Sequence, residues 1–303
     1  MSRDIKDDVV FVLFFYNQAR YVEKSLSSIF NQTVLPNKLI IMDDASTDET
    51  VESINKVLMD SPKELMIECI FNTENRGLVG QFNFLKTKLT NKLVIVQAGD
   101  DISNPNRVEL TYNSWLENNK PSLLIGGYDS IDASGKVIQS YIKKRTNEYN
   151  INNIINRKCK VSGCSAAFHS DVLNNYNELN KNIINEDRIT VLRAFMEKGV
   201  YFIPFALIRY RVGGISSFKT ESRLERHNKV IENARRELID LEMNLNDVKS
   251  KGFNHIEIFI IKRIKEIKFI KKIPFNKLKQ LGYFTVNINY ISKITQYVRR
   301  VYK

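Results

Sequence analysis

The apolar positions of the chain change period several times. Val9-Val-Phe-Val-Leu-Phe-Phe15 is an unbroken β-branched and aromatic run, which predicts a strand buried on both faces. Tyr21, Val22, Leu26, Ile29 and Phe30 then take up helical spacing. A second apolar run over 38–42 ends in Asp43-Asp44-Ala-Ser-Thr-Asp48, where several capping residues precede an amphipathic segment over 49–58. The alternation continues with strands over 65–71 and 92–97 and helices over 78–89 and 107–117, the last introduced by Pro105. Strands over 123–128, 161–168 and 201–210 and a helix over 187–198 follow, while the Gly135 turn and the Asn-rich stretch 147–156 read as an excursion. Strand and helix in alternation predict an α/β domain with a mainly parallel central sheet.

From Glu221 the period becomes that of long helices, 223–248 and 255–273, broken near Gly252 and at Pro274. The boundary is placed near residue 219, which divides the chain into a domain over 1–218 and a helical region over 219–303. In the second long helix Ile256, Ile260, Ile264, Ile267 and Ile270 form a stripe beside Lys and Arg, with Ile258, Ile261 and Phe269 off it. No internal repeat is visible.

Composition adds bounds to this outline. With 303 residues, 43% hydrophobic and 26% charged, the chain can bury a sizeable core without disulfides. The first apolar run is too short for a spanning helix and lacks a cleavage site, so neither a signal peptide nor a transmembrane segment is expected. Cys69, Cys159 and Cys164 form no paired framework, which favours reduced thiols and a cytoplasmic setting. His169, His227 and His255 have no zinc-ligand spacing.

The net charge of +12 is concentrated at one end: 251–303 carries thirteen Lys and Arg against Glu257 and Glu266, leaving the remainder nearly neutral. Such a tail suits an anionic partner, either a membrane leaflet or nucleic acid. A solvated basic face on helices that pack on the body or on a second subunit accounts for it equally. The tail aromatics Tyr283, Phe284 and Tyr290 are as easily core as stacking platforms, so nucleic acid is not expected.

Candidate chemistry lies in three acidic clusters. Asp43-Asp44 and Asp100-Asp101 each follow a predicted strand, and open α/β sheets bind ligands above the carboxyl ends of their strands. A helix cap explains the first pair as well; the second sits on a Gly turn in Val96-Gln-Ala-Gly-Asp-Asp101. Adjacent carboxylates repel, and a hard divalent cation such as Mn2+ or Mg2+ compensates them and can stabilise a diphosphate leaving group. Glu186-Asp187 opens a helix, where it either caps the turn or supplies a general base. No glycine-rich phosphate loop of the P-loop or dinucleotide type is present, which disfavours those classes.

Several short pieces occur in the order characteristic of family 2 glycosyltransferases, which the chain resembles over roughly 9–217. They are Val12-Leu-Phe-Phe-Tyr-Asn17, Ser28-Ile-Phe-Asn-Gln-Thr33, Ile40-Ile-Met-Asp-Asp-Ala-Ser-Thr-Asp48, Asn75-Arg-Gly77, Ala98-Gly-Asp-Asp101, Gly163-Cys-Ser-Ala-Ala-Phe168 and Asn185-Glu-Asp187. The resemblance implies a GT-A fold and inverting transfer of a sugar from a nucleotide-diphosphate donor, UDP-linked for preference, to a glycan or lipid-linked glycan in bacterial surface polysaccharide assembly such as O-antigen or capsule.

It also implies residue roles. Phe14, Tyr16, Asp43 and Asp44 would line the donor base pocket, Asp44 accepting from the base. Asp100 would serve the diphosphate, Asp101 the Mn2+ or Mg2+, and Asp187 would be the catalytic base. Arg211 would lie in a flexible segment that closes on the diphosphate. The chain departs from the family pattern at Ala98, where many relatives carry an acid, and at Gly213-Gly214, where many carry a His. Peripheral placement at the inner face of the cytoplasmic membrane follows from the lipid-linked acceptor and the basic tail. Two other classes stay open on the residues alone: a non-catalytic nucleotide-sugar or glycan-binding module, and a nucleotidyltransferase on a related fold.

Overall fold

A computed structural model describes residues 8–142, 148–159, 161–212 and 223–271. The described residues divide into two compact units, those within Met1–Lys181 and Glu186–Ser217, and those within Asn182–Asn185 and Phe218–Lys303.

The first unit is an α/β fold around one sheet. Its parallel block is built from β1 (Val9–Phe15), β2 (Lys38–Asp43), β3 (Met66–Phe71) and β4 (Leu93–Ala98), in the spatial order β3-β2-β1-β4. Helices α1 (Val22–Phe30), α2 (Thr50–Leu58) and α3 (Gly77–Lys88) make the crossovers. Beyond β4 come β8 (Ala166–His169), antiparallel to it, then β6 (Leu123–Ile131), β9 (Val200–Arg211) and the two-residue β5 (Ile102–Ser103); β7 (Val137–Tyr141) pairs with β6. β6 and β9 are parallel to each other, so the predicted parallel character belongs to the β3-β2-β1-β4 block and to this pair.

All seven residues of β1 are buried, as an unbroken apolar run in a two-faced strand requires. Phe11, Leu13 and Phe15 face a core with Leu26 and Ile29 of α1, Ile54 of α2, and Val108 and Trp115 of α4 (Arg107–Glu117). On the opposite face Phe14 stacks on Phe82 of α3 at 5.5 Å, and Phe82 meets Phe168 of β8 at 5.8 Å. Each such fully buried large side chain contributes roughly 1.5–3 kcal/mol.

Four short elements escape the periodicity argument: β5, β7, α5 (Ile151–Ile155) within the Asn-rich excursion, and α6 (Asp171–Asn174). The run read as a strand over 161–168 is a 3-10 turn, Gly163–Ser165, followed by the four residues of β8. α7 (Glu186–Met196) completes this unit.

In the second unit α8 (Arg223–Ser250) turns at Gly252, φ 74°, into α9 (Asn254–Lys271). Ile256, Ile260 and Ile267 of the expected stripe are buried, and Ile258 is 70% exposed. Arg263 joins α9 to α8 through Glu237 at 2.6 Å. No helix among the described residues is long and apolar enough to cross a membrane. Expectations for 272–303 and for Gly213-Gly214 lie outside the described residues.

Candidate active site

Parallel register assembles the first part of the site. Phe14 pairs with Met42 on one side and Ala98 on the other, so the next same-face positions along the three chains are Tyr16, Asp44 and Asp100. The ladder runs on into both acidic turns, with the Asp44 N–H donating to the Phe15 carbonyl at 3.0 Å and the Gly99 N–H to the Phe14 carbonyl at 2.7 Å. Three residues far apart in sequence therefore follow the carboxyl ends of three adjacent strands of the parallel block.

The loops after β1 and β2 hold each other. Asn17, φ 52°, and Ala45, φ 61°, both adopt left-handed backbone. That conformation costs an alanine roughly 1–2 kcal/mol, which the surrounding hydrogen bonds must offset. The Asn17 N–H donates to Ser46 Oγ at 2.8 Å and the Thr47 N–H to Asn17 Oδ1 at 2.8 Å. Ser46 in turn donates to Asp43 from both its N–H and its hydroxyl. The Asp43 carboxylate, 1% exposed, is thus bonded through both oxygens to the loop that follows β2.

Asp44 is 2% exposed and sits at the start of α3. Its Oδ1 accepts from Asn72 Nδ2 at 3.1 Å and the Arg76 N–H at 2.9 Å, and its Oδ2 from the Gly77 N–H at 2.8 Å. Asp44 thus meets the first amides of α3 and not those of α2, which Asp48 meets, and a carboxylate with about four acceptor positions keeps one at Oδ2. Tyr16 is 47% exposed at this edge. Phe14, 8% exposed, is spent in the Phe82 stack and forms the floor beneath Tyr16.

The second acidic pair splits by orientation. Asp101 turns inward: it is 1% exposed, its Oδ1 accepts the Arg211 N–H at 2.9 Å, and its Oδ2 has no partner. Burial, reinforced by the neighbouring Asp100 charge, pushes its pKa up to about 7. Asp100 is only half-buried; burial raises its pKa too, opposed by the Arg211 charge and a hydrogen bond with Gln18. Ala98, where an acid was expected from the family pattern, is exposed. Asp100 is the more exposed of the two, and the oxygen without a partner belongs to Asp101.

Arg211 also departs from expectation. It is the last residue of β9 and 4% exposed. Its Nε donates to the Asp100 carbonyl at 2.9 Å, its Nη1 to the carbonyls of Asp132 and Ala133 at 2.7 and 2.9 Å, and its guanidinium lies 4.6 Å from the Tyr21 ring centre. A side chain so engaged holds the acidic turn against the 132–133 turn.

Arg107, which the sequence offered only as the start of a helix, lies beneath the same turn with 0% exposure. Its Nη1 donates to Ser103 Oγ and Gln97 Oε1 at 3.1 and 3.3 Å, and its Nη2 to the carbonyls of Val96, Cys164 and Ala166 at 2.8, 3.1 and 3.5 Å. Burial lowers its pKa to about 10 against the favourable charge of Asp101. Through Cys164 it ties the acidic turn to the 3-10 turn Gly163–Ser165.

That turn adjoins the third acidic cluster. A Cβ built on Gly163 would lie 3.9 Å from Asp187 Cβ and 3.8 Å from Glu186 Oε1. Asp187, in the first turn of α7, is partly buried, and burial raises its pKa against the Arg188 and Arg157 charges. Arg107 therefore carries hydrogen bonds from β4 to the Gly163–Ser165 turn, and that turn adjoins Asp187.

Among the described residues no group of three or more His, Cys, Asp or Glu side chains could cage a metal. Divalent ions bound with substrate phosphates need only one or two carboxylates, and the pair here, with an unpartnered buried oxygen, fits that mode.

Several known proteins are similar to the chain. A chain of Haemophilus influenzae described as an uncharacterized glycosyltransferase is 23% identical over 291 residues, 89% of this chain and 85% of that one. Chondroitin synthase of Pasteurella multocida is 27% identical over 123 residues, 41% of this chain and 12% of the synthase. Staphylococcus aureus TarS 1-349, solved with UDP, superposes with a TM-score of 0.59 at 16% identity, covering 97% of this chain and 80% of TarS 1-349. A mannosyltransferase of Pyrobaculum calidifontis, solved with GDP-Man and Mn2+, superposes with a TM-score of 0.56 at 16% identity, covering 97% and 85%. These likenesses give the GT-A fold. The model of glycosyl transferase family 2 matches residues 10–176, which hold both strand-end acidic pairs and the turn beside Asp187, and the chain belongs to that family.

Proposed function

We propose that this glycosyltransferase inverts the anomeric carbon of a UDP-sugar and delivers the sugar to a hydroxyl of a glycan or lipid-linked glycan during assembly of a bacterial surface polysaccharide. The observation that carries the reading is the placement of Tyr16, Asp44 and Asp100 just past the carboxyl ends of three adjacent parallel strands, with Arg107 bonding that block to the turn beside Asp187. TarS has been solved with UDP and with UDP-GlcNAc, which supports a uridine nucleotide. In this reading the base lies against Tyr16 and donates to the open position on Asp44 Oδ2.

Asp101 would hold Mn2+ or Mg2+ through its buried Oδ2, which has no partner, while its Oδ1 is kept in place by the Arg211 N–H, and Asp100 would face the diphosphate beside it. A bound cation would supply Lewis-acid stabilisation of the charge that develops on the departing diphosphate. Asp187 takes the proton of the acceptor hydroxyl as that oxygen forms its bond to the anomeric carbon. The bond from that carbon to the diphosphate oxygen breaks on the opposite face, and its electron pair leaves with UDP. The upward push that burial gives the Asp187 pKa makes it a stronger base than an exposed carboxylate.

The test is Asp187→Asn, assayed for UDP release from UDP-sugars and for UDP binding by calorimetry with and without Mn2+. Turnover is expected to fall about a hundredfold to ten-thousandfold, the usual contribution of a positioned base, with UDP affinity nearly intact. Lost UDP affinity with normal turnover would refute the assignment of Asp187.

A further inference from the structure

The half of the sheet beyond β8 carries a pocket that donor binding leaves unused. Its volume is about 210 Å3, and Gly126 and Tyr128 of β6, Ser140 and Tyr141 of β7, and Ser162 contribute to its lining. Drug-sized ligands occupy roughly 300–1,000 Å3, so this space suits one small ring and not a nucleotide.

The chemistry of its wall is specific. Tyr128 and Tyr141 stack at 4.8 Å between ring centres, and Tyr210 meets Tyr128 edge-on at 5.7 Å. Aromatic faces are electron-rich, and the axial C–H groups of a pyranose present a complementary, weakly positive apolar face. Beside them stand hydroxyls that can read sugar hydroxyls; that of Ser162 has no protein partner among the described residues, whereas Ser140 already donates to Asp129 Oδ1. The Tyr141 hydroxyl is anchored on Gln139 Oε1 at 2.9 Å, which fixes the ring's orientation.

Its position matters as much. On one side Ser162 precedes Gly163, whose Cα borders Asp187. On the other, Tyr210 precedes Arg211, whose N–H is bonded to Asp101. The lining thus borders the turn beside the proposed base through Ser162 and, through the Tyr128–Tyr210 contact, the strand end that holds Asp101.

We propose that this pocket is the acceptor subsite, in which the outer face of the Tyr128–Tyr141 stack receives a pyranose ring and sets its hydroxyl toward Asp187. The proposal rests on the transferase reading, and the experiment separates the two. Saturation-transfer NMR with the methyl glycosides of glucose, galactose and N-acetylglucosamine is run on the full chain and on Tyr141→Ala and Tyr141→Phe. The expected result is transfer to the ring protons of at least one glycoside, weakened about fivefold in Tyr141→Ala and kept in Tyr141→Phe, which preserves the stack. Transfer to no glycoside, or transfer indifferent to Tyr141→Ala, overturns the subsite. UDP-sugar turnover is followed in parallel. Turnover with Tyr141-indifferent binding removes the pocket alone, whereas Tyr141-dependent binding with no turnover of any nucleotide sugar removes the transferase reading and with it the role of acceptor.

Discussion

At the scale of single residues, Gly99 shows how tightly the acidic turn is set. A Cβ there would lie 2.1 Å from Phe15 Cδ1, 2.4 Å from Phe15 Cε1 and 2.7 Å from Gln18 Oε1. Phe15 is fully buried and has nowhere to move, and Gln18 is a partner of Asp100. Gly99→Ala is therefore expected to cost about 1–3 kcal/mol in urea unfolding, the usual cost of overpacking. Sugar transfer should fall on the order of a hundredfold, as Asp100 shifts by a fraction of an ångström or more. Unchanged activity would mean that the turn's position is not critical. The acidic residues were themselves legible in the chain, because paired carboxylates at strand ends are unusual. How each carboxylate is bonded was not: Asp43 accepts from Ser46 and Asp101 from the Arg211 N–H, a donor 110 residues away.

At the scale of elements, the site depends on how α4, β4 and the Gly163–Ser165 turn are joined, and Arg107 joins them. Its five acceptors come from β4, β5, the 3-10 turn and β8. Arg107→Met would keep most of the side-chain volume while leaving these acceptors unpaired and Asp101 without its buried countercharge. Removing one partner from such a network typically costs about 3–5 kcal/mol, and this loss should appear as a lower urea midpoint. A variant as stable as the parent would show that the network is dispensable. The helix itself was predicted from Pro105 and its apolar spacing, yet an Arg at a helix start normally faces water. Only the three-dimensional course of the chain puts carbonyls of Cys164 and Ala166 around it. Likewise β5 and β7 are too short or too exposed to leave a periodic signal; β7 exists because β6 offers it an edge.

At the scale of the whole molecule, charge separates what each end can do. The thirteen basic residues against two acidic ones over 251–303 each gain about 1 kcal/mol near an anionic leaflet, which makes peripheral docking our proposal for this region. The full chain is expected to float with vesicles containing phosphatidylglycerol, to stay behind with phosphatidylcholine vesicles, and to be released by high salt. Equal recovery with both vesicle types would rule electrostatic docking out and leave the basic helices as a solvated face.

The order and type of the long elements, the α/β class and the family followed from the chain alone. Those properties reside in local periodicity and in short motifs that each span only a few residues. The division of labour inside the acidic pairs, the burial of Arg107 and Arg211, and the tyrosine-lined pocket were decided only by tertiary structure. They depend on which carbonyls, amides and rings are brought within hydrogen-bonding or stacking distance by strand register, and on how much water burial removes from each charge, neither of which is written at any single position.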